Sequence, residues 1–276
     1  MTREPQPPLT RRERRTLERR DRPIRDRARA STRRPPSRPA WQSPFVLVSA
    51  AALVVAVAII VLNQKPAPTN TGGELFAPPI TYTTDIVDGE SLGRADAPVV
   101  MEVYSDFQCP ICARLVRDEY ATLKSELVDA GILRIESRDI AIVGGSSVPN
   151  ESIDLATGAV CAARQNRYWQ FHDLVFWNQG GENKGDHDAA FIAAVANRAG
   201  VDMAAWNSCI ADGEAQDGVV NGTQTALAKG INGTPTLILN GGAPVTGVPN
   251  LDSLIASIRS MAAAAASPTP APTAVP

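Results

Sequence analysis

Cys109 and Cys112 enclose Pro110 and Ile111 in the run CPIC, and two further cysteines stand at 161 and 209. Two thiols three residues apart, placed where a strand gives way to a helix, can form and break a disulfide. A thiol at a helix N-terminus faces unpaired backbone N–H groups and the positive end of the helix dipole, which favour the thiolate. Pro110 suits that first turn, because the N–H it lacks has no helical partner there. Cys112 follows on the same side, so the two sulfurs can meet in a short, readily exchanged bridge. A zinc site is the rival chemistry, and it needs two further ligands. No second CxxC exists, and His172 and His187 have no ligand-pair spacing, so no metal is expected. A purely structural CPIC disulfide is the other alternative.

Gly233-Thr-Pro-Thr236 is the second feature with chemical content. It leads into an apolar strand, where a trans proline is awkward. A cis Thr234–Pro235 bond would leave the Thr234 backbone free to pair with an extended peptide. An ordinary turn proline would give the same letters.

The elements that must position these groups can be read from periodicity. Pro98-Val-Val-Met-Glu-Val-Tyr104 is a nearly continuous apolar run, as in a central buried strand. Val116, Tyr120, Leu123 and Leu127 then mark a helix ending near Gly131, and Leu133 and Ile135 alternate with Arg134 and Glu136 as a second strand. From about Ser152 to Leu227 the sequence is Ala-rich with helical spacing, read as three to five helices. Thr236–Asn240, a Gly241-Gly242 turn and Val245–Val248 read as a hairpin. Asn250 caps a final helix with the stripe Leu251, Leu254, Ile255, Ile258 and Met261. The expected order is β-α-β, a helical insert at about 146–228, then β-β-α.

Charge supplies the location. The chain of 276 residues has 27 Lys+Arg and 29 Asp+Glu, yet residues 1–43 hold 14 Arg against 5 acids. From Phe45 to Leu62 run 18 apolar or small residues without a charge. At about 1.5 Å per residue they span ~27 Å, near the thickness of a bilayer's hydrocarbon core. Six arginines lie within the 20 residues before Phe45, and Lys65 alone is basic in the 20 after Leu62. The positive-inside rule then puts the N-terminus in the cytoplasm and the remainder outside. The expected organisation is a cytoplasmic arm at 1–43, a transmembrane helix at 44–62, a linker at 63–79, a catalytic domain at 80–264 and a disordered Pro-rich tail at 265–276. The arm lacks aromatic interleaving, so its expected partner is the lipid bilayer and not nucleic acid. Outside the cytoplasm cysteines pair by default, and of three connectivities the CPIC context favours 109–112 with 161–209.

These residues resemble the thioredoxin superfamily and, more narrowly, membrane-anchored DsbA-like thiol-disulfide oxidoreductases. The resemblance rests on Ala97-Pro-Val99 leading into SDFQCPIC (105–112), on Cys161-Ala-Ala-Arg-Gln165 with Tyr168-Trp-Gln-Phe-His-Asp173, and on Gly230-Ile-Asn-Gly-Thr-Pro-Thr236. It implies a thioredoxin fold with an inserted helical subdomain. Cys109 is then the exposed nucleophile, Cys112 its buried partner, Pro235 the cis proline beside them, and Cys161 with Cys209 a second, structural disulfide. It implies an oxidase for unfolded or reduced exported proteins, reoxidised by a membrane partner of the DsbB or VKOR-like type, with no soluble cofactor. A reductase or isomerase, or a tethered peptide-binding module without catalysis, are the alternatives. One departure stands out. The family's buried acid six residues before the first cysteine is Val103 here, and Glu102 falls on the opposite strand face.

Overall fold

In this computed structural model the described residues are 74–144 and 150–266. Two short strands, β1 (Val87–Asp88) and β2 (Ser91–Leu92), precede the central strand β3 (Val99–Ser105). Helix α1 (Pro110–Leu123) crosses to β4 (Leu133–Asp139), five helices follow, and the chain returns as β5 (Thr236–Leu239), β6 (Val245–Thr246) and a C-terminal helix. The six strands lie in the order β1-β2-β4-β3-β5-β6, with β3 and β4 parallel and every other pair antiparallel.

The alternation of β3 decides which residues meet. Val99, Met101 and Val103 are buried under α1, with Leu133 and Ile135 of β4 beside them on the same face. Glu102 points the other way, where Arg138 Nη2 lies 3.3 Å from its carboxylate. Helix α1 buries Cys112, Ala113, Leu115, Val116, Tyr120 and Leu123, the spacing of a helix with one apolar face. It runs on into a π turn, Lys124–Val128, and the chain reverses at Gly131, whose φ of +70° favours glycine.

The helical insert comprises α2 (Glu151–Ala163), α3 (Tyr168–Trp177), α4 (Ala189–Ala199), α5 (Met203–Asp212) and α6 (Glu214–Ala228). Asn150, Asp188 and Asp202 cap α2, α4 and α5 by accepting hydrogen bonds from first-turn N–H groups. Helix α2 packs closely at Gly158, where a Cβ would come within 2.9 Å of Phe171 Cζ. The C-terminal helix α7 (Leu251–Ala266) is capped by Asn250, whose side chain accepts the Ser253 N–H.

Residues 74–79, the end of the segment read as a linker, are seated on the insert. The Phe76 N–H donates to Asn178 Oδ1 (2.8 Å), and Asn178 Nδ2 donates back to the Phe76 carbonyl (3.0 Å). Tyr82 donates its hydroxyl to Asp173 Oδ2 (2.5 Å). The expected arm at 1–43, membrane helix at 44–62, first part of the linker and tail beyond 266 lie outside the described residues. Among the described residues no helix is long and apolar enough to cross a membrane.

Candidate active site

The end of β3 is anchored by a buried carboxylate. Asp106 Oδ1 accepts the Gln108 N–H (2.9 Å) and the Ser152 hydroxyl (2.7 Å). Its Oδ2 accepts the N–H groups of Ile142 and Val143, each at 2.8 Å. Burial raises the Asp106 carboxyl above its ordinary range, against the pull of those donors. A second brace comes from the insert. Gln179 Nε2 donates to the carbonyls of Phe107 (2.6 Å) and Cys109 (3.2 Å), and Gln108 Oε1 accepts the Asn183 N–H (2.6 Å). The turn between β3 and α1 is thus held from both sides, and Cys109 stands at the N-cap of α1 with Pro110 next.

The two thiols there are unbridged and unequal. Cys109 keeps 6% of its surface exposed and Cys112 none, so only Cys109 can meet an incoming sulfur. The Cys109 thiol lies 3.4 Å from the carbonyl of Thr234, and the Thr234–Pro235 bond is cis. The Cys109 pKa is lowered to about 6, first by the hydrogen bond from Cys112, with help from Thr234 and the N–H groups of Cys112 and Ile111. Burial works against these donors and loses. The opposite holds for Cys112, which burial pushes well above the usual thiol range, reinforced by its neighbour Cys109. Two donors work the other way, the Ser105 side chain and the Asp106 backbone N–H. A thiolate at Cys109 beside a protonated Cys112 suits thiol–disulfide exchange, in which the first sulfur attacks or is attacked and the second departs or returns.

Val103 is buried against the core, so no carboxylate occupies the position six residues before Cys109. Cys161 on α2 and Cys209 on α5 form a disulfide, 48 residues apart in sequence and both buried. Neither histidine approaches the thiols through a hydrogen bond. His172 Nδ1 pairs with Asp173 Oδ1 (2.8 Å) inside an aromatic cage that includes Phe107, Tyr120, Tyr168 and Trp169. His187 Nδ1 pairs with Glu151 Oε2 (2.7 Å). Asp106 and Gln108 lie inside the recognised SDFQCPIC run, but nothing in their spacing announces their partners. Gln179 is 70 residues from the carbonyl it holds and carries no local signature at all.

A parallel β3–α1–β4 unit, a cis proline opposite a helix-capping CxxC and a helical insert before β5 now stand together. The Thioredoxin family profile matches residues 85–254. The chain belongs to the thioredoxin family. Within that family it is similar to the probable disulfide bond formation protein D of Bacillus cereus, with 29% identity over 137 residues, 49% of this chain and 56% of that protein. The match therefore spans little more than half of that relative. Among solved structures it is similar to oxidised Mtb DsbA, with 26% identity, a TM-score of 0.52, and coverage of 70% of this chain and 90% of the other. It also resembles oxidised BdbD from Bacillus subtilis, with 18% identity, a TM-score of 0.53, and coverage of 65% and 99%, a likeness of fold.

Proposed function

We propose that this thioredoxin-family chain is a membrane-tethered, extracytoplasmic thiol-disulfide oxidoreductase that introduces disulfides into exported proteins. The observation that carries the reading is the inequality of the CPIC thiols, with Cys109 lowered to about 6 and Cys112 raised by burial. A stabilised thiolate favours the reduced enzyme and so favours passing the disulfide outward, the direction of an oxidase. The relatives named for disulfide bond formation and the DsbA structure support the same chemistry. The tether and its direction rest on the apolar run Phe45–Leu62 and the arginines before it.

In the forward reaction a substrate thiolate attacks Cys109 Sγ, the Cys109–Cys112 bond breaks, and Cys112 leaves with the electron pair. A second substrate thiolate then attacks the substrate sulfur of the mixed disulfide and releases Cys109 as thiolate. Two electrons now reside on the CPIC pair. A membrane partner of the DsbB or VKOR-like type removes them and restores the disulfide. The Thr234 backbone beside Cys109 offers an edge for the extended substrate. The test is oxidation of a reduced, unfolded model protein by the full chain in detergent. Turnover by the wild type and none by Cys109→Ala is the expected result, and equal rates would overturn the enzymatic reading.

A further inference from the structure

On the oxidoreductase reading above, exchange depends on how firmly Cys109 is held against its hydrogen-bond donors. The stretch from Gln179 to His187 contributes to that hold, and it is a built conformation. Gly181, Asn183 and Gly185 all take positive φ, at 138°, 53° and 76°, and a Cβ on Gly180 would come within 2.6 Å of Asp186 Oδ2. Its near end grips the active site. Gln179 is buried and donates to the Phe107 and Cys109 carbonyls, and the Asn183 N–H reaches Gln108. Its far end is pinned to α2 by one carboxylate. Glu151 Oε1 accepts the Gly185 N–H (2.6 Å), and Glu151 Oε2 meets His187 Nδ1 (2.7 Å). The buried His187 ring closes the circuit, because its Nε2 accepts the Gly180 N–H at 3.5 Å, next to Gln179. Nε2 therefore carries no proton, and Nδ1 donates to Glu151.

We propose that His187 and Glu151 form a clasp that positions Cys109 through Gln179, and that protonation of His187 opens it. Neither residue touches sulfur, so both are positioning residues. The link runs through the backbone. Gln179 fixes the Cys109 carbonyl, and ψ of Cys109, 119°, sets both that carbonyl and the direction of the first-turn N–H groups. The thiolate is held first by Cys112, then by Thr234 and by the N–H groups of Cys112 and Ile111, so a turn that drifts loses stabilising donors. A proton on His187 Nε2 would set one N–H against another at Gly180, and the imidazolium would keep its Glu151 bond alone. Gly180 then withdraws, and Gln179 with it. Glu151 faces the ring from α2, Asp186 and Asp188 adjoin it in the chain, and Lys184 lies over Gly181. From α4 the contact is apolar, the Phe191 ring meeting the imidazole edge-on at 5.2 Å between centroids.

The test equilibrates the full chain in detergent with glutathione redox buffers at pH about 7.5, comparing wild type, His187→Gln, Gln179→Ala and the double variant. His187→Gln should move the equilibrium about threefold toward the disulfide form, the change that a rise of about half a pKa unit in Cys109 makes. Gln179→Ala should move it at least as far, and the double variant no further than Gln179→Ala. Two independent structural losses would add instead. Glu151→Gln, whose amide offers one acceptor oxygen where the carboxylate offers two, should repeat the His187→Gln shift from the α2 side. In the wild type, amide protection at Ile111 and Cys112 should fall in step with the imidazole NMR signals of His187 as it gains a proton, and His187→Gln should lack that step. An unchanged equilibrium in folded His187→Gln and Glu151→Gln, or additive shifts in the double variant, overturns this inference alone. A wild type that exchanges no disulfide overturns the oxidoreductase reading and this inference with it.

Discussion

The molecule carries two cysteine pairs, and they are built in opposite ways. Cys161 and Cys209 lie within helices α2 and α5, buried among apolar neighbours, and are joined. Cys109 and Cys112 lie at the first turn of α1 and stand free. Separation accounts for part of the difference. A loop of 48 residues takes much chain entropy from the unfolded state when it is closed, and a loop of three takes little. Environment accounts for the rest. Hydrogen-bond donors converge on Cys109 and stabilise its thiolate. One pair holds helices together, and the other holds electrons.

The sharpest way to break that contrast is to disable each pair in turn. Cys109→Ala should abolish exchange in the insulin-reduction and model-oxidation assays while leaving thermal stability near that of the reduced wild type. Replacing both Cys161 and Cys209 with Ala should do the reverse. Denaturant unfolding should show a loss of ~4 kcal/mol in the chain-entropy model, and the exchange rate at low temperature should hold. If the second variant loses its exchange rate while still folded, the division of labour is wrong.

A smaller effect concerns the brace on the active-site turn. Gln179→Ala removes the donors to the Phe107 and Cys109 carbonyls. With those acceptors left buried, the cost should be about 1–3 kcal/mol, read as faster amide hydrogen exchange over the first turn of α1. Unchanged protection there would remove Gln179 from the account.

The smallest expected effect is a shift in one thiol. Thr234→Val removes a donor to Cys109 and should move its pKa upward by about one unit, equivalent to ~1.4 kcal/mol, in a pH series of iodoacetamide labelling. The sign for stability follows. The folded Cys109 pKa is depressed, so its contribution to the reduced chain is complete above the unfolded thiol value and is lost as pH falls through about 6. The oxidised chain has no such group. The stability of the reduced form relative to the oxidised form should therefore rise between pH 6 and about 9, and a flat difference would contradict the lowered pKa.

How far the sequence revealed this arrangement depends on the range of each interaction. Strand β3, helix α1 and the capped helix α7 announce themselves, because burial along one strand or one helix face imposes a period of 2 or about 3.6. The helix read as ending near Gly131 stops at Val128, in a π turn that no period marks. The insert contains five helices, the upper end of the sequence reading, where Ala-rich composition blurs the boundaries. Strands β1 and β2 escape notice, since two residues each carry no period. At the site, the positions of Cys109, Cys112, Thr234 and Pro235 follow from local motifs. Their supports do not. Asp106 reaches Val143 and Ser152, and Gln179 reaches back to the CPIC turn. Such partners are chosen by the tertiary fold and leave no trace in nearby residues.

The central claim is that the CPIC pair gives its disulfide away. The most direct measurement is its reduction potential, taken by equilibrating the full chain with glutathione redox buffers and trapping the thiols. The account predicts a value close to that of a strong oxidant, near about −120 mV, whereas a value near about −270 mV, that of a reductant, would contradict it.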